Sequence, residues 1–300
     1  MVTKEQIKAG LSELGLNAGD LVVVHSSLSS FGKVAGGAET VVNAILEVLG
    51  PSGTLIVPTF HFEPGIFDHE NTPSIVGAIT EEARGRRDAI RSHHPTHSVA
   101  AIGPLAEAIT EDVEKHDPFG RGSALHKALM VGGKILQLGV THTTNSTLHV
   151  AEELAKVPYL DRQRHVGIRK PDGDVVYKWI RRPGCSQGFD AVDEQMYEQN
   201  AITEVMIGEC RARLMDARTL VDTAVELLKT DPTALLCTRP DCGICAESRA
   251  MVAATEAEAQ EREITELAEE EERIRRQAER RLMGNVSYFE PDKGEFGSSN

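Results

Sequence analysis

The sequence predicts an α/β protein with a mixed central sheet flanked by helices, on three observations. Residues 21–24 (Leu-Val-Val-Val) and 54–58 (Thr-Leu-Ile-Val-Pro) are unbroken apolar runs of strand length. Between them, 38–49 places Val41, Val42, Ile45, Leu46 and Leu49 at helical spacing, giving a strand, helix, strand order of the βαβ kind. Farther on, 166–180 alternates around Asp172-Gly173 as a hairpin does, so the sheet is not expected to be purely parallel.

The elements follow in order. Residues 4–16 form an amphipathic helix with Ile7, Leu11, Leu14 and Leu16 on one side. Asn17-Ala-Gly-Asp turns into the first strand, which runs into a loop rich in Ser and Gly. The helix at 38–49 stops at Gly50-Pro51-Ser52-Gly53, and the second strand begins there. A loop at 60–73, punctuated by Pro and Gly, precedes a helix at 75–84. Arg91-Ser-His-His-Pro-Thr-His97 leads into a strand at 98–103, and helices are expected at 104–110 and 124–130, the second entered through a polar turn at 119–123. Residues 131–140 supply a Gly-Gly turn and the run Ile-Leu-Gln-Leu-Gly-Val, a buried strand, and Ser146-Thr-Leu-His-Val-Ala-Glu-Glu-Leu opens a helix. Residues 203–229 are predicted to be helical. From 247 to 283 the chain is nearly all Ala, Glu, Arg and Gln with sparse Ile264, Leu267 and Ile274, the pattern of a solvated charged helix. A coiled-coil homodimer through it is the open alternative, but Glu271, Ala278 and Arg281 interrupt the heptad seam. The expected organisation is one domain over 1–250, a charged helical extension over 251–285 and a disordered tail over 286–300.

Composition narrows the function. With 300 residues and 40% hydrophobic content the chain can bury a substantial core. Its net charge of -14 argues against a nucleic-acid partner, which asks for a basic stripe to neutralise phosphates. Residues 255–283 hold ten Glu against six Arg, so part of the acidity is local to the charged helix and the rest suits solubility. No run approaches the roughly 18 apolar residues of a membrane span, and the first residues lack the pattern of a signal peptide, so no membrane partner and a cytoplasmic location are expected. Five cysteines, an odd number, favour reduced thiols. Three cluster as Cys237-x4-Cys242-x2-Cys245; the CxxC is zinc-like, yet no fourth ligand is evident, leaving these three as weak metal candidates.

The segment 138–153, Leu-Gly-Val-Thr-His-Thr-Thr-Asn-Ser-Thr-Leu-His-Val-Ala-Glu-Glu, is where chemistry is most expected, because ligands of α/β proteins bind where strands end. His149 and Glu152 are three apart, so on a helix the carboxylate can hold the imidazole in one tautomer and raise its basicity, an arrangement for a general base. Asn145, Ser146 and Thr147 exceed what helix capping requires, and their side chains suit donors to a developing oxyanion. The loop His25-Ser-Ser-Leu-Ser-Ser-Phe-Gly, with Gly36-Gly37 ahead of a helix, lets a ligand approach the backbone closely, although it matches neither the Walker nor the dinucleotide glycine pattern. His93, His94 and His97 suggest a metal-dependent hydrolase as a competing class, against which stand Pro95 and the lack of a nearby carboxylate.

Taken together, His25-Ser-Ser-Leu-Ser-Ser-Phe-Gly, Gly53-Thr-Leu-Ile-Val-Pro-Thr59, Arg91-Ser-His-His-Pro-Thr-His-Ser-Val99, Phe119-Gly-Arg-Gly-Ser123 and the segment from Leu138 to Glu152 occur in an order that resembles the aminoglycoside 3-N-acetyltransferase family. The likeness runs from about residue 3 to residue 160 and thins toward residue 250. It implies an antibiotic N-acetyltransferase fold and an enzyme that moves an acetyl group from acetyl-coenzyme A to an amine, with no metal in catalysis. It further implies coenzyme contacts from Ser26, Ser27, Leu28, Lys33, Val34, Gly36, Gly37, Ser98 and Val99. Catalysis falls to His149, supported by Glu152, with Asn145 and Thr147 beside them, and acceptor contacts fall to His142, Thr143, Glu153 and Asp190. Antibiotic-modifying members usually read His-Asp-Ser-Asn where this chain reads His142-Thr143-Thr144-Asn145, which removes an acid suited to a polycation. The alternatives left open are an acceptor that is another small amine, and a zinc-stabilised interaction protein built on the cysteines and the charged helix.

Overall fold

A computed structural model describes residues 1–62 and 65–284. The chain divides into two compact units, Met1–Val252 and Ala253–Asn300. Among the described residues no helix is long and apolar enough to cross a membrane.

The first unit is built on a seven-stranded mixed sheet. Strands β1 (Leu21–Ser26) and β2 (Thr54–Pro58) are followed in the chain by β3 (Ile66–Phe67), β4 (Ile90–Arg91), β5 (Val99–Ile102) and β6 (Lys134–Leu138). Then come β7 (Gln163–Arg169), β8 (Val175–Arg181), β9 (Thr203–Ile207) and β10 (Cys210–Asp216). The main sheet runs in the order β4-β5-β2-β1-β6-β10-β9, and β3, β7 and β8 make a separate three-stranded sheet. At the centre, β1 pairs in parallel with both β2 and β6; the flanking pairs β2 with β5 and β6 with β10 are antiparallel. The carboxyl ends of β1, β2 and β6 therefore open together on one side, where α/β proteins bind ligands.

The central strands are continuously apolar because both faces are covered. In β1, Leu21 and Val23 join one core cluster and Val22 and Val24 the other. Helices α1 (Lys4–Glu13), α2 (Gly37–Leu49) and α3 (Ala78–Arg84) pack on one face. After the short α4 (Ala106–Thr110), helices α5 (Ala124–Met130) and α6 (Leu148–Ala155) cover the other face. They are followed there by α7 (Asp193–Glu198) and α8 (Ala217–Thr230). Local chemistry fixes the helix starts: Thr3 and Gln6 form a capping box on α1, and the Asp216 side chain accepts from the Thr219 amide at the start of α8. Helix α9 (Gly243–Gly284) starts in the first unit, and its continuation, exposed and laced by pairs such as Arg273 with Glu270, makes up the described part of the second. The expected tail at 286–300 lies outside the described residues.

The prediction of helix over 203–229 is corrected. Residues 203–216 form the β9–β10 hairpin, turning at Gly208 with φ of 63°, and only Ala217–Thr230 is helical. Arg213 explains why the strand pattern was hidden. Although charged, it is fully buried in the middle of β10, so alternation between apolar and polar residues fails there. Its guanidinium donates to Gln137 Oε1 at 3.1 Å, forms a short ion pair with Asp193, and brings Nε to 3.3 Å from Glu204. Removing Arg213 leaves Gln137 Oε1 short of its donor and takes a cation from Asp193 and Glu204, which are partly exposed and keep His142 and Arg211 as partners. Arg213→Ala is therefore expected to destabilise the protein by about 1–3 kcal/mol, read as a shift in the urea midpoint; a midpoint like that of wild type would show that the network contributes nothing.

Candidate active site

At the carboxyl ends of the parallel strands lies a cavity of about 400 Å³. Val24, His25 and Ser26 of β1 and Pro58 of β2 line its base, and Phe60, Phe62 and Phe119 give an apolar wall. Thr144, Ser146 and His149 line another side, and Pro183, Gly184 and Ser186 complete it. Among the described residues no Asp or Glu lines this cavity.

His149 sits in the first turn of α6 and is 5% exposed. Its Nδ1–H donates to Glu152 Oε2 at 2.6 Å, one turn along the same helix, while the Tyr159 hydroxyl donates to Glu152 Oε1 at 3.2 Å. Burial and the neighbouring Glu152 push the Tyr159 phenol well above its usual range, so it stays protonated as a donor. The rings of Phe119 and Phe189, at 4.9 and 4.7 Å from the imidazole by centroid, restrict its rotation. With its proton held on Nδ1, the imidazole keeps a lone pair at Nε2 for an incoming acid hydrogen.

The neighbouring polar residues are used differently from one another. His142 and Asn145 are fully buried and do not line the cavity. His142 Nδ1 accepts from the side-chain amides of Asn145 at 3.1 Å and Gln137 at 3.3 Å, and its Nε2 lies 3.2 Å from Asp193 Oδ1. Asn145 Oδ1 in turn accepts from the Thr147 amide at 3.2 Å. Burial opposes ionisation of Asp193, but the neighbouring His142 and Arg213 prevail and hold its carboxyl below the usual range. This network underpins the loop ahead of α6. Thr147 is buried too, with its hydroxyl lacking a hydrogen-bond partner, whereas Ser146 and Thr144 face the cavity. Thr143 is half-buried and its carbonyl accepts from Ser186 Oγ at 2.6 Å. Glu153 pairs with Arg181 at 3.1 Å in a cleft adjoining His149, and Asp190 stands in a one-turn 3-10 segment, Phe189–Val192.

The Ser-rich loop wraps over the end of β1. Ser26 lines the cavity, and the Ser27 amide donates to Leu138 O at 2.9 Å, tying the loop to β6. Leu28 begins a 3-10 turn, Lys33 is exposed, and Val34 bridges to Val2. Gly36 and Gly37, with φ of 78° and 63°, lead into the N-terminus of α2, whose first amides have no partner within the helix. Ser98 and Val99 are placed apart from this loop's surface. Ser98 Oγ donates to Thr59 O and accepts from Arg91 Nε at 3.1 Å, and Val99 is core.

The histidines that suggested a metal hydrolase do not converge. His93 stacks on His69, while His94 Nδ1 accepts from the amides of Thr96 and His97. Their burial has a different consequence. Burial holds His25 at about 3 and His94 at about 4, from an ordinary 6.5, and pushes His97 well down. These groups are neutral when folded, so as pH falls the unfolded chain binds protons first, and their contribution, complete above pH 6.5, is lost progressively down to about 4 for His94 and about 3 for His25. The melting temperature is expected to fall steadily over that window, which calorimetry at stepped pH reads; a flat profile would contradict the burial.

The sequence pattern does not mark Tyr159, Phe60, Phe62 or the 183–186 wall as parts of the site, and the motif at 119–123 does not show that Phe119 packs on His149. Tyr159 follows α6 beyond a left-handed turn at Lys156, with φ of 56°, and no spacing rule brings it back to Glu152.

A cavity at the mouth of parallel strands, with a histidine on its rim oriented from behind by a buried carboxylate, defines an enzyme rather than an interaction module. The chain belongs to the aminoglycoside 3-N-acetyltransferase family, whose sequence profile matches residues 23–229. It is accordingly an acetyltransferase. Aminoglycoside N(3)-acetyltransferase IV of Salmonella sp is 32% identical over 236 residues, covering 78% of this chain and 90% of the relative. Among solved structures, a His-to-Ala mutant of aminoglycoside acetyltransferase AAC(3)-IVa in complex with a gentamicin is similar with a TM-score of 0.77 and 31% identity, covering 83% of this chain and 97% of that one. AAC-IIIb in a binary complex with CoASH gives a TM-score of 0.69 at 26% identity, covering 76% and 96%.

Proposed function

We propose that the chain transfers the acetyl group of acetyl-coenzyme A to an amine of an aminoglycoside, with His149 as general base. The observation that carries this reading is His149 on the rim of the cavity, held from behind by Glu152 at 2.6 Å, which Tyr159 orients in turn. An amine is largely protonated at neutral pH and attacks a thioester only when free. His149 Nε2 takes the proton of the attacking nitrogen as the N–C bond forms. Glu152 stabilises the resulting imidazolium. The tetrahedral oxyanion is met by hydroxyls facing the cavity, Ser146 and Thr144, and its collapse breaks the C–S bond. The coenzyme leaves as a thiol, the proton passing from His149 to sulfur, so no acyl-enzyme and no metal enter the steps.

The coenzyme lies along Ser26, Ser27 and Leu28 in this reading, with its phosphates toward Lys33, Val34, Gly36 and Gly37 at the N-terminus of α2. The relative solved with CoASH and the one solved with a gentamicin support the donor and the acceptor class. A second reading, another small amine as acceptor, is favoured by one observation: the acids nearest the loop, Asp193 and Glu153, are engaged by Arg213 and Arg181 rather than turned to the cavity. Thiol release from acetyl-coenzyme A against a panel of aminoglycosides and simple amines tests both. Release with aminoglycosides supports the first reading and release with simple amines alone the second; release with neither overturns the reaction.

A further inference from the structure

Four of the five cysteines meet in space although they come from three separate stretches of chain. Cys185 lies after β8, Cys237 after α8, and Cys242 and Cys245 flank the start of α9 at Gly243. Their four Sγ atoms all lie within 4.8 Å of one another, with Cys185 and Cys237 at 3.9 Å. All four are free thiols. Sulfurs arranged tetrahedrally around zinc at about 2.3 Å stand about 3.8 Å apart, whereas a disulfide brings two sulfurs to about 2.05 Å. The Cys185–Cys237 separation matches that of two sulfurs on one zinc and is too long for a disulfide, and no other pair is more than about an ångström farther apart.

The surroundings fit thiolates. The Gln187 amide donates to Cys185 Sγ at 3.4 Å. A backbone donor aimed at sulfur, together with the N-terminal end of α9, offsets negative charge on a thiolate cluster. Cys237 and Cys245 are buried, which protects such a site from exchange. The chain is held in place around it: Arg249 donates to the carbonyls of Leu236 and Cys237, and a Cβ at Gly188 would stand 2.6 Å from the Cys237 nitrogen and the Leu235 carbonyl oxygen. Simple apolar packing of reduced cysteines does not require four sulfurs from three stretches of chain to gather within 4.8 Å of one another.

We propose that Cys185, Cys237, Cys242 and Cys245 bind one zinc ion as a closed structural site. Binding releases four thiol protons to solvent and leaves no open coordination position, so the ion takes no part in acetyl transfer. Its effect reaches the cavity through chain connectivity. Pro183, Gly184 and Ser186, next to Cys185, form one cavity wall, and Ser186 fastens that wall to Thr143. The zinc anchors this wall to the α8–α9 connection. The proposal stands whichever amine is the acceptor.

The test uses the full chain purified under reducing conditions. Elemental analysis after desalting is expected to find about one zinc per chain, and cobalt exchanged into the site is expected to show the intense visible bands and sulfur-to-cobalt charge transfer of a tetrahedral four-thiolate complex. Cys185→Ser is expected to lose that spectrum and lower the melting temperature, while Cys210→Ser retains it. Chelator treatment is expected to lower the melting temperature, with recovery on adding zinc. Reduced wild-type protein that retains no metal after incubation with zinc, shows no cobalt–thiolate bands and melts unchanged would overturn the proposal, as would a cobalt spectrum unaffected by Cys185→Ser.

Discussion

Replacing His149 by alanine is expected to lower kcat for acetyl transfer by a factor on the order of 10²–10⁴, the range a positioned base contributes, while the affinity for acetyl-coenzyme A is retained. The asymmetry follows from geometry. His149 lies on α6, after β6, whereas the loop proposed for the coenzyme follows β1. The side chain is 5% exposed and packed between Phe119 and Phe189, so its loss also leaves a void. His149→Gln, closer in size, separates the two effects. If the base is what matters, both variants lose turnover and bind coenzyme normally in a calorimetric titration. Near-normal turnover in either variant would remove His149 from the reaction.

The second large effect is expected at Glu152. Glu152→Gln keeps the shape of the pair but removes its charge, so the ring is no longer held firmly with its proton on Nδ1 and the imidazolium loses its counter-charge. A fall in kcat of roughly 10²-fold or more is expected, with little change in KM for either substrate. Because Glu152 also receives the Tyr159 hydroxyl, Tyr159→Phe serves as the companion variant. It keeps the carboxylate and removes one support, and its smaller loss of kcat would identify Tyr159 as a positioning residue. Equal, complete losses from Glu152→Gln and Tyr159→Phe, accompanied by lowered melting temperatures, would instead mean that the group serves folding.

The architecture was legible where side-chain periodicity was uninterrupted. The apolar runs of β1 and β2 and the five apolar positions of α2 marked the parallel centre, because burial on both faces excludes polar residues. Legibility failed at 203–216, where a buried arginine satisfied by Gln137, Asp193 and Glu204 replaced the expected alternation. The pairing of His149 with Glu152 was readable because it is local to one helix turn. Contacts made across the chain were not. Cys185 is 52 residues from Cys237, and nothing in its spacing joins it to the later cysteines. The same limit hid the division of labour within one loop, where His142 and Asn145 turn inward to the Asp193 network and only Thr144 and Ser146 face the cavity.

Acetyl transfer from acetyl-coenzyme A to an amine at this cavity is read out by mass spectrometry of an aminoglycoside incubated with the protein and acetyl-coenzyme A, paired with titration of released thiol. One acetyl group is expected on the acceptor for each thiol released, and both signals are expected to vanish in His149→Ala. Thiol release with an unmodified acceptor, or acetylated acceptor formed equally by His149→Ala, would contradict it.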